Sequence, residues 1–85
     1  MQRIFKFPVL DQDRFQLEIP EGAEFLSLQT QSGTPQMWFK VDEHAAKQRR
    51  RFLVAGTGHY VVPSAHFLGT FQLDDGARVF HVFEV

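Results

Sequence analysis

The chain contains no cysteine, which removes disulfide staples, thiol catalysis and cysteine-ligated zinc or iron–sulfur centres. Packing alone has to hold it. No apolar run approaches the roughly eighteen residues that span a bilayer. The N-terminal segment Met1 to Gln12 lacks the apolar stretch of a secretory signal, so a cytoplasmic protein with no membrane partner is expected. With a formal charge of -1 the chain has no excess of positive charge with which to coat duplex nucleic acid. It also has no internal repeat and no low-complexity tract, which excludes solenoids and linkers.

What is present is a globular composition. The 85 residues are 44% hydrophobic and 22% charged, enough for one domain over residues 1–85 and too few for a second. Area scaling for this length gives roughly 5,200 Å² of folded surface, and total stability on the order of 4 to 13 kcal/mol. Association with a second copy would add to that margin, and a homodimer is expected.

Ten phenylalanines and an apolar spacing of two favour strands over helices. Arg3 to Phe7 reads as a first strand ended by Pro8, and Phe15, Leu17 and Ile19 alternate with polar residues in a second. Pro20-Glu21-Gly22 is a turn. Phe25 to Thr30 and Met37 to Val41 form a hairpin about Ser32-Gly33-Thr34-Pro35, with Trp38 and Lys40 on the opposite face of the fourth strand. Trp38 is then either covered by a loop or open to a partner.

Residues 42–49 lack β-branched side chains and read as a loop or one helical turn. Arg50 to Ala55 is a fifth strand, and Phe67 to Leu73 a sixth whose Gly69 marks a bulge or a close approach. Asp74-Asp75-Gly76 suggests a two-residue hairpin turn into a seventh strand, Val79 to Phe83, apolar on both faces and therefore central or covered on both sides. The fold expected is all-β, a small seven-stranded barrel or two-sheet sandwich with short hairpins.

Two stretches could carry recognition. In Gly56-Thr57-Gly58-His59-Tyr60 the glycines free the backbone to form an anion nest, with Thr57 and His59 as added donors; the competing reading is a plain turn. It is not a Walker loop, since no Gly-Lys-Ser or Gly-Lys-Thr follows. The second stretch holds four of the nine basic residues, Lys47, Arg49, Arg50 and Arg51. Arginine forks suit phosphate or carboxylate, although solvated charge protecting a sheet edge is equally ordinary. Alternation sends Arg49 and Arg51 to one side and Arg50 to the other. Trp38 and Tyr60 could stack a base beside such charges.

The four histidines show no metal-ligand spacing, and His81 reads as a packed strand residue. No Gly-x-Ser-x-Gly elbow surrounds Ser27, Ser32 or Ser64. Neither an enzyme nor a bound cofactor is expected. The candidate ligand- or partner-binding residues are Trp38, Arg49, Arg51, Thr57, His59 and Tyr60.

The segments Arg3-Ile4-Phe5-Lys6-Phe7-Pro8, Pro20-Glu21-Gly22-Ala23, Gly56-Thr57-Gly58-His59 with Pro63 behind it, Gly69-Thr70-Phe71-Gln72 and Phe80-His81-Val82-Phe83-Glu84 together resemble a family of small tailed-phage and prophage proteins of unknown function. The resemblance spans nearly the whole chain. It implies a phage or prophage origin and action in the cytoplasm of an infected bacterium, and it transfers no catalytic residue. In that setting the expectation is a non-enzymatic counter-defence factor that binds a host defence protein or its nucleotide signal. The alternatives are an assembly accessory binding another phage protein and a small enzyme using His59 on a phosphate-bearing substrate.

Overall fold

The computed structural model describes residues 1–85. Its strands are β1 (Gln2–Pro8), β2 (Arg14–Pro20), β3 (Glu24–Gln31), β4 (Thr34–Asp42), β5 (Lys47–Gly56), β6 (His66–Leu73) and β7 (Arg78–Glu84). They form a three-stranded antiparallel sheet in the order β1-β4-β3 and a four-stranded one in the order β2-β5-β7-β6. No closed barrel forms, because β1 pairs only with β4 and β2 only with β5. The fold is a two-sheet sandwich. No helix is long and apolar enough to cross a membrane.

Alternation places Phe39, Met37 and Val41 of β4, Ile19 of β2, Phe52 of β5 and Val82 of β7 in a fully enclosed centre. Phe39 is the hub of the three-stranded sheet, with Phe7 and Phe25 edge-on at centroid distances of 5.7 and 5.5 Å. Opposite, Phe15 and Phe52 stack at 5.2 Å across the β2–β5 pair. The exposed surface, 5685 Å², exceeds the roughly 5,200 Å² expected of a compact chain of this length. That excess fits the flat extents of 40 × 30 × 17 Å.

The sheets approach most closely where β3 meets β6. Both strands carry a register shift there, between Phe25 and Ser27 and between Phe67 and Gly69, and such bulges bend a strand locally. Gly69 therefore serves both of its expected roles. A Cβ on it would lie 2.9 Å from Leu28 Cδ2 and 3.1 Å from Leu28 Cβ, and the latter atom cannot swing away. Gly69→Ala is expected to destabilise by about 1–3 kcal/mol in urea unfolding; a change below about 0.5 kcal/mol would show that the corner can open.

Three local expectations are corrected. Lys47, Gln48 and Arg49 are not loop: β5 starts at Lys47, opposite Pro20, because β2 offers a complete edge for them to pair with. The two-residue turn with two left-handed residues is at Ser32 and Gly33, φ 51° and 81°, between paired Gln31 and Thr34. Asp74-Asp75-Gly76 instead forms a single 3₁₀ turn. Leu73 pairs with Arg78 across a four-residue connection, and Asp74, Asp75 and Gly76 all have positive φ. As expected, β7 is central, between β5 and β6. Since both neighbours run antiparallel to it, β5 and β6 are parallel, and residues 57–65 must return past β7 to join them.

Candidate functional site

The arginine segment divides as alternation requires. Arg50 points into the sandwich, where Nε and Nη2 donate to the two Glu84 carboxylate oxygens at 2.6 and 2.7 Å and Nη1 donates to the Ala23 carbonyl at 2.8 Å. Its guanidinium carbon stands 5.0 Å from the Phe39 ring centroid. Arg50 and Glu84 belong to the four-stranded sheet, Phe39 and the approach to β3 to the other, so this side chain ties the layers together. Its role is structural. Arg49 is exposed beside Glu18 at 3.5 Å, and Arg51 is exposed on the outer face near Arg14, Gln16 and Val85.

The other candidates do not meet either. Trp38 is half-buried on the outer face of the three-stranded sheet, opposite Lys6 of β1 and Ser27 of β3. Tyr60 is fully exposed. Thr57 Oγ1 lies 2.9 Å from His81 Nε2, and Thr70 Oγ1 2.9 Å from His81 Nδ1. A neutral imidazole donates to one hydroxyl and accepts from the other, so His81 is the packed, partnered histidine expected, and Thr57 is turned away from His59. The glycine stretch closes as a turn, His59 N–H donating to Gly56 O at 3.1 Å with Gly58 at φ 91°. The amide that would centre an anion nest is thereby occupied.

Of the six, His59 is the one that reaches the larger, apolar cleft, while Arg51 borders only a smaller hollow beside Arg14 and Phe15. At one end of the sandwich the β1–β2 connection, the β3–β4 turn, the end of β5 and the β6–β7 connection enclose a cleft of about 320 Å³. Its interior is apolar, with Val9 and Phe71 buried and Leu10, Val54, Leu73 and Phe80 half-buried. Phe71 and Phe80 form a stacked pair, centroids 5.5 Å apart. The His59 ring lies against Gly56, where an added Cβ would come within 3.1 Å of Cε1; the missing side chain there is what seats the imidazole. Around the mouth lie Asp11, Gln12, Asp13, Thr34 and Arg78. Arg78 Nε donates to Asp74 Oδ2 at 2.7 Å, and its guanidinium lies 6.0 Å from the Phe80 ring centroid.

Four loops distant in sequence build this mouth, so no local pattern in the sequence singles out Asp11, Asp13 or Arg78 as its lining. The available signal was Arg78 itself, the one basic residue after Arg51. No group of three or more His, Cys, Asp or Glu side chains is placed to hold a metal ion.

The chain belongs to a family described as a domain of unknown function (DUF7352), whose model matches residues 1–85. No match was found among curated proteins or among solved structures.

Proposed function

We propose that this protein is a non-enzymatic binding protein of phage or prophage origin, acting in the host cytoplasm as a counter-defence factor that captures a small signal molecule in its end cleft. The observation that carries the reading is the cleft. Its volume, about 320 Å³, lies in the range of small-molecule sites, and apolar walls with a few polar groups at the mouth are their usual construction. His59 stands there with no hydrogen bond to its ring, while His81 is held between two threonines.

A second reading, capture of a host or phage protein, draws on the exposed apolar side chains Ile4 and Leu26 on the sheet that carries Trp38, and on Phe67 of β6. A second copy paired along a free edge such as β1 belongs to either reading. Native mass spectrometry of the protein purified from bacterial lysate separates them. The cleft reading expects a bound mass below about 1 kDa, the scale of ligands such sites enclose, that disappears in His59→Ala. A single co-purifying protein, with no small mass and no effect of His59→Ala, would replace it with the second reading.

A further inference from the structure

Resting on the cleft as a ligand site, the geometry points to a specific ligand class: an amine-bearing nucleoside monophosphate, with its base amine toward Asp13 and its phosphate toward Arg78. Strand order carries this. Asp13 immediately precedes β2, and its carbonyl accepts from Val54 N–H of the adjacent β5 at 2.8 Å; Arg78 opens β7, on the far side of β5. The register sets Asp13 level with Val54 and Val54 level with Val82, so Arg78 lies two interstrand steps across, about 10 Å, and four residues further along, about 13 Å, from Asp13. The mouth is therefore polarised, with the Asp11 and Asp13 carboxylates at the β2 end and Arg78 and His59 toward the β7 end.

Ionised carboxylates only accept hydrogen bonds, so the β2 end calls for a donor such as an exocyclic amine or a sugar hydroxyl. Arg78 commits Nε to Asp74 and keeps its two Nη groups, which suit one phosphate in a forked arrangement. Between the ends, Phe80, Phe71 and Val54 offer apolar surface to a flat ring. With the long Arg78 side chain reaching back into the cleft lining, a base-to-phosphate span bridges the remaining gap, whereas a polyphosphate tail would meet Asp74 and Asp75 beside Arg78 and be repelled. The chain supplies one guanidinium there, already shared with a carboxylate.

Calorimetric titration with adenosine monophosphate, adenosine, uridine monophosphate and adenosine triphosphate tests the assignment. Adenosine monophosphate is expected to bind about tenfold or more tighter than each of the others, the usual worth of one charged hydrogen bond. Arg78→Gln should equalise adenosine monophosphate with adenosine, and Asp13→Asn should weaken adenosine monophosphate while leaving uridine monophosphate unchanged. Both side chains are exposed, so the variants keep the fold. Equal affinity for the two monophosphates, tighter binding of the triphosphate, or no binding of any of the four would overturn the ligand class. The cleft reading would fall separately, only if no small mass accompanies the protein purified from lysate.

Discussion

Phe39→Ala is expected to lower the stability of the chain by about 3–5 kcal/mol, the largest effect of any single truncation in the sandwich. Phe39 is fully buried, and its ring faces neighbours on three sides: Phe7 from β1, Phe25 from β3, and the Arg50 guanidinium from the opposite sheet. Truncation removes two edge-to-face contacts and the cation–π contact and leaves a void that the paired strands around it can fill only in part. Against a total on the order of 4 to 13 kcal/mol for a chain of this size, such a loss leaves a large unfolded fraction at room temperature. Urea unfolding followed by tryptophan fluorescence suits the test, since Trp38 sits beside Phe39 on β4. A loss below about 1 kcal/mol, the range of ordinary surface or peripheral changes, would mean that the core is loosely packed around this ring.

Arg50→Ala is the second large effect, expected at about 3 kcal/mol. The ion pair it breaks is mostly withdrawn from water, with side-chain exposures of 16% for Arg50 and 23% for Glu84. Removing the cation strands the Glu84 carboxylate and leaves the Ala23 carbonyl without this donor. Its sequence neighbours make the contrast. Arg49 pairs with Glu18 at 3.5 Å with both side chains more than half exposed, and Arg49→Ala should change stability by no more than about 0.5 kcal/mol. Arg51→Ala, on the outer face, should behave like Arg49→Ala. The double variant Arg50→Met with Glu84→Leu should recover part of the loss, because it removes the stranded charge along with its partner. Equal losses for Arg49→Ala, Arg50→Ala and Arg51→Ala in urea unfolding would contradict the division of this segment into one inward tie and two outward charges.

That division shows what the sequence makes legible. Alternation alone separates Arg50 from Arg49 and Arg51, because side-chain direction in a strand depends only on parity. What Arg50 meets inside cannot be read that way, since Glu84 lies 34 positions further along and Phe39 belongs to the other sheet. The seven strands and their inner faces follow from phenylalanine spacing in the same local manner. Gly69 is legible as a special position, but its partner Leu28 is not. The turns divide on finer chemistry. Asp-Gly at 75–76 has the stronger hairpin signature, yet Ser32-Gly33 forms the tight turn because its flanking strands pair right up to it, while β6 and β7 stop pairing at Leu73 and Arg78.

The cleft illustrates the larger gap. His59 is recognisable from its glycine neighbours, but Asp13 and Arg78 acquire a role only when strand order brings the β1–β2 and β6–β7 connections to the same end. Trp38, Arg51 and Tyr60 carry side chains suited to recognition and occupy separate surfaces. Residue type identifies candidates; topology decides which of them converge.

The most direct test of the account is an amide ¹H–¹⁵N spectrum recorded while small planar heterocycles, nucleosides and nucleoside monophosphates are added in turn. The account predicts that whichever of them binds shifts the amides of residues 10–13, 33–34, 56–59 and 78–80 around the cleft, leaving those beside Trp38 and Arg51 in place. Shifts centred on Trp38 or Arg51 with the cleft unaffected, or a spectrum that no compound alters, would contradict it.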